Sequence, residues 1–217
     1  MTAKSPVLTL LIGAALAALL LTLSSQAATP VRWAGADAPA TSPSPAGSPA
    51  GSPAGSPAVV EPPATYAGAT TGGAATLAIA VKDGQAVAYL CDGRRVESWL
   101  RGTATGGVLS LTGSHAGSLT GRYGGGRASG TVSAGGRQWT FQIAEVLPPS
   151  GLYRAAAPVR GASVVGGWIV LPDGTQVGLV DTGDVAQPAP PLDPGTGTAS
   201  LDGTVLPATR LDGTAGL

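Results

Sequence analysis

Residues 76–91 read TLAIAVK-DG-QAVAYLC, two β-prone runs around Asp83-Gly84. A type I′ turn needs positive φ at both central positions. Asp-Gly tolerates that, so the stretch predicts a two-residue hairpin. With Lys82 opposite Gln85, the residues Leu77, Ile79 and Val81 share a face with Ala86, Ala88 and Leu90. Ala78, Ala80, Val87, Tyr89 and Cys91 take the other face. Both faces are apolar away from the turn. The hairpin is therefore central, or one of its faces meets a second layer or a ligand.

The same signals continue along the chain. Asp-Gly recurs at 92–93, 173–174, 202–203 and 212–213, so five of nine aspartates precede glycine and read first as turn residues. The Pro172-Asp173-Gly174 tip between WIVL and TQVGLV predicts another hairpin. Val108–Thr112, Ser118–Tyr123 and Ala128–Ser133 are short strands separated by glycines such as Gly124–Gly126. From Arg137 to Val146 the pattern alternates, with Trp139, Phe141 and Ile143 on one face and Gln138, Thr140 and Gln142 on the other. TASLDGTVLPAT (198–209) predicts a last hairpin. The helical alternative is RRVESWLR (94–101), a turn or short helix. About ten short strands with glycine turns make an all-β fold, an antiparallel meander forming a small barrel or a sandwich. LPPSG (147–151) reads as an exposed crossing loop within one domain, because neither side offers an independent core of typical size. Residues 186–197 read as a Pro-rich loop.

Composition agrees. In 217 residues there are 34 glycines and 19 prolines, while 11% of residues are charged and 4% aromatic. That excludes a large helical protein, a coiled coil or a charged nucleic-acid-binding tail. The formal net charge is zero, so no global field steers a polyanion. One cysteine and one histidine exclude a disulfide framework and a Cys/His zinc site within one chain. There is no asparagine, hence no N-glycosylation acceptor, and turns use Asp-Gly in place of Asn-Gly.

The N-terminus predicts export. Lys4 precedes an apolar run from Val7 to Leu23, and Ser25 and Ala27 stand at positions −3 and −1 of a cut after Ala27. Residues 1–27 are a signal peptide or an uncleaved N-terminal anchor helix. No cysteine lies near the cut, which excludes a lipoprotein anchor. Residues 28–63 form a disordered, low-complexity Ala/Pro/Ser/Gly linker, with SPAG repeated through Ser44–Ala58. Trp33 is incidental there. Residues 64–217 are a single β domain. The protein is expected to be secreted or at the cell surface, exported across the cytoplasmic membrane, with membrane contact only through its N-terminal segment.

Few residues suggest chemistry. His115 sits in the loop GSHAGS near Ser114 and Ser118, but adjacency makes no triad. Cys91 reads as a small buried residue beside Tyr89 rather than a partner in an intermolecular disulfide or a reactive thiol. Glu61, Glu97 and Glu145 are the only glutamates and are widely scattered, which argues against a paired-carboxylate hydrolase. YGGGR (123–127) lacks the lysine and helix of a phosphate loop and reads as a strand turn. Charge is uneven: arginines 94, 95, 101, 122, 127, 137, 154 and 160 face two glutamates, whereas Arg210 alone faces six aspartates after residue 160. That block reads first as charge neutralised by the aspartates or scattered on outward faces, and second as a basic patch for an anionic envelope polymer or lipid head group. No catalytic residue, metal ligand or cofactor is expected, and no ligand-binding residue is assigned.

The stretch from YAGAT through TLAIAVKDGQAVAYLCDGRRVESWLRGTATGGVLSLTG, with the later GLYRA and GWIVLPDGTQVG, resembles a group of exported proteins of high-GC bacteria. These share a hydrophobic N-terminus, a Pro/Ala/Ser linker and one small β domain. The resemblance covers residues 66 to about 180, and AVKDGQAVAYLCDG is its most specific part. It implies architecture and location. It implies no activity and carries over no site residue.

The resulting expectation is an exported, non-enzymatic β domain, displayed on or released from the cell envelope. Its partner is a cell-envelope polymer, lipid or protein. The alternative is a small-molecule or lipid carrier of β-barrel type, with hairpin 76–91, Trp139, Phe141 and Trp168 lining a cavity. A hydrolase or thiol enzyme using His115 or Cys91 ranks below both. Nucleic-acid binding is not expected of a neutral chain without a reading module.

Overall fold

The Asp83-Gly84 turn forms with φ of 51° and 76°, and Lys82 pairs with Gln85 in the expected register. The computed structural model describes residues 62–159, 161–183 and 186–215, which are all-β and contain no helix. The signal or anchor segment 1–27 and nearly all of the linker lie outside the described residues.

Eight strands come first: β1 (Ala64–Ala69), β2 (Thr76–Lys82), β3 (Gln85–Cys91), β4 (Glu97–Thr105), β5 (Val108–Gly113), β6 (Ser118–Gly124), β7 (Arg127–Ala134) and β8 (Arg137–Glu145). Each pairs with its sequence neighbour, and β1 pairs with β8 through Tyr66↔Glu145 and Ala67↔Ala144, so the meander closes into a barrel. Alternation sorts the side chains. Tyr66, Leu77, Ile79, Leu100, Leu111, Leu119, Phe141 and Ile143 fill the lumen. Thr103, Ser110, Thr120, Thr131 and Thr140 form an exposed or half-buried row of register partners across β4–β8.

LPPSG then carries the chain to a second sheet. Its strands are β9 (Gly151–Val159), β10 (Ala162–Val170), β11 (Gln176–Asp181), β12 (Ala186–Pro188), β13 (Leu192–Asp193), β14 (Thr198–Leu201) and β15 (Thr204–Arg210). The order β12-β11-β10-β9-β15-β14-β13 leaves the sheet open. One face curls around Tyr153, Val164, Trp168, Val180, Leu192 and Leu206. The other packs on the barrel: Leu152, Ile169 and Leu179 meet Ala67, Ala78, Val87, Tyr89 and Cys91. Burying each of those three aliphatic side chains contributes about 1.5–3 kcal/mol. The second layer accounts for a hairpin that is apolar on both faces.

Two expectations need correction. RRVESWLR is not helical: Arg94–Val96 form a turn and Glu97 opens β4, whose side chains alternate between buried and more exposed. Tight pairing to β3 and β5 on either side overrides the weak helical pattern. The described residues form fifteen strands, against about ten expected. The additional ones are β1, β4 and β9, rich in small residues, and β12 and β13 inside the Pro-rich loop.

Candidate functional site

An up-and-down barrel sends alternate turns to the same end. The turns after β1, β3, β5 and β7 therefore share one rim: residues 70–75, 92–96, 114–117 and 135–136. Arg94, Arg95, His115 and Arg137 stand on this rim, all exposed. Asp92 is the one carboxylate in those four turns. Its Oδ1 accepts the N–H groups of Arg94 (2.8 Å), Arg95 (2.8 Å) and Val96 (2.9 Å). Burial pushes the Asp92 carboxyl up, but those donors and Arg137 outweigh it and hold it below its ordinary value. Asp92 is thus committed to shaping its own turn. Among the described residues no salt bridge engages Arg94, Arg95 or Arg137.

His115 and Ala116 both adopt positive φ, 53° and 58°. The other turns of this rim give such positions to glycine: Gly72-Gly73, Gly93 and Gly135-Gly136. An ordinary L-residue in this region costs roughly 1–2 kcal/mol, somewhat less for histidine. The sole histidine is thus held out at the tip of the β5–β6 hairpin at a conformational cost.

A second polar group lies between the sheets. Tyr89 and Trp99 are register partners on β3 and β4, as are Cys91 and Glu97. The Tyr89 hydroxyl donates to Glu97 Oε2 at 2.6 Å and accepts the Leu179 N–H at 3.3 Å. Tyr89 stacks on Trp99 with centroids 4.2 Å apart, and Arg154 lies 5.8 Å over the Trp99 ring. A Cβ on Gly167 would come within 2.6 Å of Trp99 and 2.8 Å of Tyr89, so only glycine lets β10 pass over the stack. Burial pushes the Tyr89 phenol well above its ordinary value. Burial also raises the Cys91 thiol, although Gly93 N–H and Tyr89 pull the other way. A fully buried thiol kept protonated is no nucleophile. Burial raises the Glu97 carboxyl, the Tyr89 hydrogen bond opposes it, and Asp181 adds to the rise. This group fastens the two sheets together.

The remaining candidates disperse. No hydrogen bond joins Ser114, His115 and Ser118 among the described residues. Trp139 and Phe141 belong to the barrel core, whereas Trp168 lies in the second sheet's core, so the three do not line one cavity. Glu145 ends β8 and lies at the opposite barrel end from the arginine rim; Glu61 and Arg160 are outside the described residues. Arg122 and Arg127 flank the β6–β7 turn at that far end, and Arg101 donates to the Ala215 carbonyl. The arginine block thus divides, and only Arg94, Arg95 and Arg137 gather. The grouping of Tyr89, Cys91 and Glu97 went unrecognised in the sequence. The signal was there: pairing β3 with β4 about the turn at 92–96 sets Cys91 opposite Glu97. In comparisons with known proteins, no family model, curated protein or solved structure matches this chain.

Proposed function

We propose that this is an exported, non-enzymatic binding domain that holds an anionic component of the cell envelope against one end of its barrel. The observation that carries the reading is the rim: Arg94, Arg95, His115 and Arg137 converge there, and its one carboxylate is occupied by backbone donors. The hydrophobic N-terminus and SPAG spacer support it, because they would hold the domain beyond the membrane at the end of an extended tether. Each basic residue near an anionic surface is worth about 1 kcal/mol, so three arginines give on the order of a hundredfold in affinity.

The carrier reading has the closed barrel in its favour. It requires Leu77, Leu100, Leu111 and Phe141 to part, since these side chains occupy the lumen. The test between the two is retention of the full chain on isolated cell envelopes across a salt series. Replacing Arg94, Arg95 and Arg137 together with glutamine is expected to abolish the salt-sensitive part of that retention. Equal retention of wild type and variant would refute the rim as the binding surface.

A further inference from the structure

At the barrel end opposite the arginine rim, three chain crossings enclose a groove. The chain enters the barrel at 63–65, leaves it at 145–148, and finishes β15 at 210–212. The groove has a volume of about 240 Å³, just below the range of drug-sized pockets. Its apolar wall includes Val81, Val146, Pro148 and Leu147, the last 75% exposed.

Its charged groups differ in how far they are committed. Arg210 is fixed: Nε and Nη2 both donate to the Ser150 carbonyl at 3.1 Å, and Nη2 also reaches Thr65 Oγ1 at 3.3 Å. A Cβ on residue 151 would lie 2.9 Å from Arg210 Nε, so Gly151 makes the bed on which the guanidinium rests. Nη1 has no acceptor among the described residues. Asp212 is also committed, with Oδ2 on Lys82 at 2.7 Å and Oδ1 on Thr214. Glu145 is exposed, and its carboxylate has no partner among the described residues.

We infer that this groove binds the zwitterionic form of a short peptide or amino acid, its carboxylate on Arg210, its ammonium on Glu145 and its apolar side chain against Leu147 and Pro148. Charge complementarity selects that class. Lys82 and Asp212 cancel, leaving one fixed cation and one uncommitted anion beside an apolar wall. A simple anion would meet Glu145 and a simple cation would meet Arg210, whereas a zwitterion satisfies both. The preformed guanidinium offers a carboxylate charge-assisted hydrogen bonds without ordering a flexible side chain.

The test is a backbone-amide NMR titration of the full chain with leucyl-alanine, its N-acetylated form and its C-amidated form. We expect saturable shifts confined to residues 63–65, 145–148 and 210–212. Each blocked form should bind about fivefold or more weakly, because each loses a charge-assisted contact. Arg210 also ties β15 to the crossing loop, so replacing it endangers the fold. The exposed Glu145 therefore carries the mutational arm: in Glu145→Gln the free and N-acetylated peptides should bind alike. No saturable shift up to about 20 mM, a range that covers the weakest affinities of interest, would overturn the inference. So would equal binding of all three peptides to the wild type. The arginine rim lies at the other barrel end, so failure here leaves the envelope-binding proposal standing, and failure there leaves this one.

Discussion

The eight-stranded barrel and the seven-stranded sheet differ in how their last strands are satisfied. In the barrel, β1 and β8 pair with each other, and main-chain hydrogen bonds remove the edge. The second sheet stops short of that. Its gap is crossed by a proline-rich run from Pro188 to Pro191, which one main-chain bond (Ala189 N–H to the Gly178 carbonyl, 3.0 Å) ties to β11 and side chains carry across to β13. The Gln176 amide donates to Leu192 O at 2.7 Å and accepts Leu192 N–H at 2.9 Å, acting as one rung of a missing ladder. Trp168 Nε1 donates to the Pro190 carbonyl at 2.8 Å. Closure by backbone spreads the work over many residues, whereas closure by side chains concentrates it in two or three. The barrel should therefore tolerate loss of any one exposed residue, whereas loss of Trp168 or of Gln176 should weaken the open sheet at its gap.

Trp168→Ala is the largest break. It removes a fully buried indole that also covers Gly166, and it frees the Pro190 strap. Large-to-small changes of this kind cost about 3–5 kcal/mol. Leu100→Ala, in the barrel lumen, should cost about 2–5 kcal/mol. Because a shared apolar layer joins the sheets, both variants are expected to unfold in a single transition. A Trp168→Ala protein that melts in two steps, with the barrel outlasting the sheet, would show that the layer does not couple them.

Gly167→Val attacks the coupling itself by forcing a side chain into the Tyr89–Trp99 stack. Overpacking should cost about 1–3 kcal/mol, and the near-ultraviolet circular dichroism of the stacked pair should fall. Gln176→Ala is milder. It strands the Leu192 N–H and carbonyl at the gap, at a cost of about 1–2 kcal/mol. Hydrogen exchange at Leu192 should accelerate while that at Leu111 in the barrel stays unchanged. Equal acceleration at both would mean that the gap is not a local weakness.

The same contrast decides what could be read in the sequence. Barrel hairpins with Asp-Gly or Gly-Gly turns and alternating apolar residues were legible, including the β2–β3 register. The strands β1, β4 and β9 were not, since ATYAGA, ESWLRGTAT and GLYRAAAPV owe their pairing to neighbours rather than to their own pattern. Closure was also hidden, because β1–β8 pairing and the Gln176–Leu192 rung are long-range facts with no local signature. Sequence composition located the excess of arginine but not the rim, which exists only because alternate turns of a barrel share an end. The role of Arg210 was equally invisible, as it depends on Ser150 and Thr65, 60 and 145 residues away.

The smallest expected effect is on acid response, where an acid between the sheets and an acid on the surface pull in opposite directions. Glu97 is raised in the folded protein, first by burial. The folded state therefore binds its proton more readily than the unfolded chain does. The penalty for burying the charged form is present at neutral pH and is relieved as pH falls through the raised value toward the ordinary carboxyl range, so stability rises. Asp212 runs the other way: the Lys82 hydrogen bond and the Thr214 contacts lower it to about 2. Its contribution is full above the unfolded value near 3.8 and is lost as pH falls toward about 2. The pair is 34% and 47% exposed, so solvent and salt screen it and its effect should be the weaker of the two. Denaturant midpoints between pH 7 and pH 2 should thus first increase and then decrease. Glu97→Gln should remove the increase and leave the decrease, whereas Asp212→Asn should keep the increase and shrink the decrease, which Asp92, Asp173 and Asp193, also held below the ordinary carboxylate value, share. If Glu97→Gln left the increase intact, the carboxylate between the sheets would carry no net penalty, its burial being fully compensated by the Tyr89 hydrogen bond.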